Sequence, residues 1–245
     1  MIINDTHIIF YVVAVILGIG MSYFVEILNK KLPNREPIFS KGEKEEKIKI
    51  NLWLILIIIC IYIGIVYKFG LSVETLKYIL LVPMLISGLI IDFKLQILPN
   101  RLNLTMFEIG IVIVLAYTFI NIEIAVDSIL GMFAGGGIFL LITLIGGLVA
   151  GKEAMGFGDV KLMGALGLFF GLKSIIMITV LAFLLGAIVS ILIVIIRFKK
   201  KTEYIPFGPF IVVAAIIVLF MPQDLLLNIL ITIFSLGLNK RNEII

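Results

Sequence analysis

The chain has almost none of the residues that disulfide, thiolate or imidazole chemistry needs. Of 245 residues, one is cysteine (Cys60), one is histidine (His7) and one is tryptophan. A single thiol excludes an intrachain disulfide and any multi-thiolate metal site within one chain. Charge is scarce too: 15% of residues are charged against 62% hydrophobic, and mean hydropathy is +1.24. No water-facing surface can be assembled from such a composition. The net charge of +4 carries no nucleic-acid signature, and no nucleic-acid partner is expected.

What the chain has instead is long apolar runs. A spanning helix takes ~20 apolar residues, and such runs lie at Ile8–Leu28, Leu52–Tyr67, Leu76–Ile91, Leu102–Ile120, Ser128–Ala150, Val160–Gly171, Ser174–Ile196 and Ile205–Met221. Hydrocarbon offers no partner to a bare backbone, so each run must satisfy its own amides as a helix. A closed barrel would show an alternation that is absent. The expected fold is all-α, a polytopic membrane bundle of about eight transmembrane helices forming one domain over residues 1–245. The first run is too long, and lacks the basic start, for a cleaved signal peptide. A further run, Leu225–Leu238, is only 14 residues long, which leaves the 222–245 segment either interfacial or a short ninth span.

Orientation follows from Lys and Arg. Residues 29–51 hold seven, 92–103 two, 150–161 two and 197–203 four, fifteen on one side. The alternate connections hold Lys68, Lys77 and Lys173. The positive-inside rule makes the fifteen cytoplasmic and the amino terminus external, with 29–51 a short cytoplasmic loop.

Acidic side chains in or beside hydrocarbon cost roughly 2.5–3.5 kcal/mol on insertion scales, so each needs a reason. Four qualify: Glu26, Asp92, Glu108 and Asp159. Glu26 lies near the end of its run and can reach the interface. Glu108 is six residues into its run, about 9 Å deep, and either lines a polar cavity or bonds a neighbouring helix. Asp92 closes the third run in LIIDFKLQILPN, and Asp159 opens the sixth in MGFGDVKL. Both belong to the same membrane face. Two carboxylates meeting there at about 3 Å would share one proton, and such a pair can activate water as one base and one acid. Gly156 and Gly158 carry no Cβ, which lets the backbone turn tightly and a substrate main chain approach. Lys161 points to a different helix face from Asp159 and is expected to meet lipid phosphate or another helix. Glycines at 131, 135, 136, 164 and 167 suit close helix contact.

Taken together, Asp92 with Ile97, Leu98, Pro99 and Asn100, then GFGDVKL from Gly156 to Leu162, then Pro206, Phe207, Gly208 and Pro209, resemble the type IV prepilin leader peptidases, a GxGD group of intramembrane aspartyl proteases. Gly20, Asn29, Leu32 and Pro33 resemble a degraded form of the family's N-terminal signature. The resemblance implies Asp92 and Asp159 as the catalytic pair, with Gly156, Gly158, Lys161, Pro99 and Asn100 as motif support; Glu108 is kept as a further candidate. It implies substrates that are type IV prepilin-like precursors, whose basic leader is cut at the cytoplasmic face of the inner membrane. Many bacterial members carry a cysteine-paired cytoplasmic domain tied to N-methylation between the first two spans. Here that connection is residues 29–51 without cysteine, so the similarity is to the peptidase-only form, and no metal, cofactor or methyl transfer is expected. The competing class is a transporter or channel passing protons or cations along Asp92, Glu108 and Asp159. Transporters usually show paired inverted halves, and MGFGDVKL has no second copy.

Overall fold

The computed structural model describes residues 2–3, 6–34, 51–150, 155–196 and 206–235. A two-residue antiparallel pairing of β1 (Ile2–Ile3) with β2 (Thr6–His7) precedes eight helices. These are α1 (Ile8–Lys31), α2 (Leu52–Phe69), α3 (Val73–Leu95), α4 (Asn100–Ile120), α5 (Ile122–Ala150), α6 (Phe157–Ile196), α7 (Gly208–Phe220) and α8 (Gln223–Ser235). The first six are long and apolar enough to cross a membrane. Their outer faces present bare apolar side chains such as Phe119, 91% exposed, and Leu148, 86% exposed, so hydrocarbon is the solvent this surface fits. The molecule is a multi-pass membrane helix bundle.

The helix starts are capped where the sequence supplies an oxygen. Ser72 Oγ accepts from the Thr75 amide at 3.3 Å, and Asn51 Oδ1 and Asn121 Oδ1 accept from Trp53 and Glu123 at 3.1 and 3.0 Å.

The sixth and seventh apolar runs form one helical element of 40 residues, interrupted at Gly171. Its φ of 75° and ψ of 177° belong to glycine. The element doubles back there. A Cβ on Gly135 of α5 would touch both the Met163 carbonyl at 2.5 Å and Ile175 Cγ1 at 2.8 Å, residues that a straight helix would hold about 18 Å apart. Both halves of α6 therefore run along α5. The first half is drawn in by glycines: a Cβ on Gly167 would collide with the Gly131 backbone, and Gly136 meets Gly164 backbone to backbone.

Pro83 sits inside α3 and cannot supply the amide that would bond the Ile79 carbonyl. Tyr62 of α2 supplies the donor instead, its hydroxyl reaching Ile79 O at 2.7 Å from a fully buried position. Farther along α3, Ser87 Oγ lies 2.8 Å from Asn29 Oδ1 of α1. Lys68, at the end of α2, caps the last turn of α7 by donating to Leu219 O at 2.6 Å.

Two expectations need correcting. Lys77, counted above with a connecting loop, lies in the first turns of α3 and is buried, ion-paired with Glu74. The fifth span starts at Ile122, not Ser128, because Asn121 caps the helix before the apolar run begins. The seven basic residues of 29–51 fall mostly, and the four of 197–203 wholly, outside the described residues.

Candidate active site

Asp92 occupies the last turn of α3, and its carbonyl accepts the Gln96 amide at 2.8 Å. Gln96 ends the helix in the left-handed region, φ 56° and ψ 34°, a C-terminal stop that a non-glycine residue rarely makes. The chain then turns through Ile97 and Leu98 to Pro99, which precedes the first residue of α4. Proline fits there because the first amides of a helix have no intrahelical acceptor. Asp159 lies in the first turn of α6, with its amide donating to Gly156 O at 3.0 Å.

These two turns face one another. Asp92 and Asp159, each 5% exposed, line one cleft of about 230 Å³, and each carboxylate lies within electrostatic reach of the other. Gln96, Ile97, Leu98 and Asn100 form one wall; Gly156, Gly158 and Phe207 form the other. No Lys, Arg or His is among the described residues of that lining. Two acidic groups are thus held together in a small cleft whose lining carries no counter-ion, an arrangement in which a pair can share a proton.

The glycines serve the carboxylates. A Cβ on Gly208, at the start of α7, would collide with Asp92 Oδ2, and the Gly208 amide donates to the same carboxyl group. A Cβ on Gly158 would sit 3.0 Å from Leu98 Cβ, and one on Gly156 would stand 3.8 Å from Asp159 Oδ2. Phe207 closes the apolar side, tilted against Phe183 at 5.0 Å between ring centroids and meeting Phe139 and Phe210 at 6.0 Å.

Of the residues singled out in the sequence, Asp92, Asp159, Gly156, Gly158 and Asn100 come together at the cleft. Pro99 stands beside it as the entry to α4, and Lys161 lies at its rim, where Nζ donates to Asn100 Oδ1 at 2.8 Å. Lys161 therefore ties α6 to α4. Glu108 does not join them; it is exposed and lies outside the cleft. The buried stripe of α4 runs through Leu102, Met106, Gly110, Ile113 and Tyr117, and at 100° per residue position 108 falls on the opposite face. Gln96, Phe207 and Gly208 joined the site without having been assigned a role of their own. The positive φ of Gln96 left no sequence signal, whereas Pro206–Pro209 did stand out as a motif.

Residues 79–191, which carry both aspartates, match the type IV leader peptidase family. The chain is 31% identical over 160 residues to a prepilin leader peptidase/N-methyltransferase of Legionella pneumophila, covering 65% of this chain and 55% of that protein. It is 32% identical over 145 residues to the protein of the same name from Aeromonas hydrophila, covering 59% and 49%. For the Neisseria gonorrhoeae protein of that name the figures are 30% over 175 residues, 71% and 59%. The chain thus spans about half the length of the curated relatives it matches. No solved structure matches it. A multi-pass helix bundle with two carboxylates lining one cleft defines the class, and the core of the chain, residues 79–191, is similar to the type IV leader peptidase family.

Proposed function

We propose that this protein is a membrane-embedded aspartic endopeptidase that removes the leader peptide from type IV prepilin-like precursors, with Asp92 and Asp159 as its catalytic pair. The observation that carries the proposal is the shared cleft: two buried carboxylates, 67 residues apart in sequence and on different helices, line one small cavity with no cation in its lining. The ionised member takes a proton from water as the water oxygen bonds to the scissile carbonyl carbon. The protonated member donates to the carbonyl oxygen, so the negative charge that develops there is met by a hydrogen bond. Collapse of the tetrahedral intermediate breaks the C–N bond, and the proton taken from water passes to the leaving amine. Each turnover returns the pair to its starting state with one shared proton. Carboxylates alone suffice, so the reaction as proposed uses neither metal nor cofactor.

The substrate proposal rests on the family and on charge. A basic leader is drawn to the acidic cleft and to anionic headgroups, and an apolar stem lies against the lipid-facing helices beside it. The proposed setting is the inner membrane, with the amino terminus outside, the cleft facing the cytoplasm and residues 1–245 working as one peptidase unit. The relatives' names also include N-methyltransferase; with one cysteine in the chain, methyl transfer is not proposed here.

The test is intact-mass analysis of a pilin-like precursor incubated in membranes that contain the full chain. The expected result is loss of mass equal to the leader with the wild-type protein, and none with Asp92→Asn or Asp159→Asn. Cleavage by the Asp159→Asn protein, or an unchanged precursor mass with wild type, overturns the proposal.

A further inference from the structure

Asp92 receives direct support from the Gly208 amide. The support of Asp159 is less obvious, because the residue before its helix is Gly156, which has no side chain to cap the first turn. A helix start without a cap leaves its first turn poorly fixed. The anchor comes from α4. Asn103, in the first turn of that helix and 2% exposed, donates from Nδ2 to the Gly158 carbonyl at 3.0 Å. The opposite amide orientation would set two oxygens against each other, so the carbonyl fixes which end is the donor.

The other end of the same amide is costly. Asn103 Oδ1 is the one buried side-chain polar atom without a hydrogen-bond partner among the described residues. Leaving an acceptor so costs roughly 1–3 kcal/mol, and a leucine of similar size would fill the space without that penalty. What the amide supplies is therefore its donor. The Gly158 carbonyl and the Asp159 amide belong to one planar peptide unit. Holding that oxygen holds the plane from which the Asp159 Cα projects. Leu98 presses on the face of Gly158, and the Asp159 amide is tied back to Gly156 O. Three contacts thus fix one peptide.

We infer that Asn103 is a positioning residue for Asp159: its side-chain amide clamps the Gly158–Asp159 peptide and so aims the carboxylate into the cleft. The inference rests on the peptidase reading only for its kinetic arm. The experiment uses the full chain in lipid nanodiscs with a pilin-like precursor, comparing wild type with Asn103→Leu, which lacks the donor, Asn103→Asp, which keeps the shape but offers only acceptors, and Asn103→Thr, which restores a donor. The expected result is a kcat about 10- to 100-fold lower for the leucine and aspartate variants, KM within about twofold, partial recovery in the threonine variant, and a melting temperature of the leucine variant no lower than wild type. A purely structural role would instead lower the melting temperature and leave kcat per folded molecule unchanged, and that result overturns the inference. A second arm follows the ¹³C carboxyl resonance of Asp159 across pH without substrate. A displaced titration curve in Asn103→Leu supports the clamp, and a superimposable one refutes it. Failure of the wild type to cleave, with the curve displaced, would sink the peptidase proposal while leaving the positioning role supported.

Discussion

The two ends of α3 bury polar groups in opposite ways. At its start, Lys77 pairs with Glu74, and Glu74 in turn accepts the Tyr117 hydroxyl of α4. The Lys77 ammonium also lies over the rings of Tyr78 and Tyr117, at 4.7 and 5.7 Å. Asp127 of α5 stands within electrostatic reach of that lysine and accepts the Leu172 amide at 3.3 Å, just past the reversal at Gly171. At the other end, 15 residues and about 22 Å along the helix, Asp92 faces Asp159 across a cleft whose lining has no cation. The first end is an ion-paired joint that ties together four helices. The second keeps two like charges unbalanced beside open space. At the first end a half-buried carboxylate answered by a lysine holds helices together; at the second, two carboxylates more deeply buried and without a cation in their lining form the proposed catalytic pair.

That contrast is breakable from both sides. The largest effect is expected at the unbalanced end: Asp92→Asn or Asp159→Asn should reduce precursor cleavage at least ~10³-fold with no loss of melting temperature, since a pair that shares one proton already has one neutral member and asparagine keeps its shape. At the balanced end Lys77→Met should do the reverse. It removes the cation from the half-buried Glu74, which keeps the Tyr117 hydroxyl, and should cost about 1–3 kcal/mol of stability, visible as a lower melting temperature in detergent, while the folded fraction retains its kcat. Adding Glu74→Gln should return most of that loss. A fall in kcat per folded molecule in Lys77→Met would show that the joint reaches the cleft and would erase the distinction.

Smaller changes sharpen it. Gly208→Ala would push a methyl group into the Asp92 carboxyl group. The side chain can swing away while the helices stay in place, so kcat should drop about 10- to 100-fold with an unaltered melting temperature. Tyr62→Phe removes the donor that answers the carbonyl freed by Pro83. The expected cost is about 1–2 kcal/mol of stability, with kinetics unchanged. If cleavage also falls, the middle of α3 sets the placement of Asp92 at its end.

Much of the architecture could be read from the residues. Each apolar run lies in a helix, the sixth and seventh sharing one element whose break falls at Gly171, where glycine alone relieves both the backbone angle and the crowding by Asp127. The aspartates stood out because each was expensive where it lay. Other features gave no such signal. Lys77 looked like a loop charge because a buried ion pair has the same composition as a solvated one. Asn103 is an ordinary asparagine three residues after Asn100, and only its contact with Gly158 distinguishes it. Glu108 resembled a buried acid by depth, yet its rotational phase on α4 turns it outward.

The sequence by itself determined that the chain is a stack of helices for a hydrocarbon solvent, because in that medium each run must satisfy its own backbone, and that requirement is local. It also determined that a few acidic side chains would need an explanation. Which of them meet was decided only by the tertiary structure: Asp92 against Asp159 and Gly208, Tyr62 under Ile79, Lys77 inside its ring of partners. Such pairings depend on how each helix is rotated and where it crosses its neighbours. Those quantities are set jointly by glycine contacts and side-chain volumes spread over the whole bundle, and no single stretch of residues contains them.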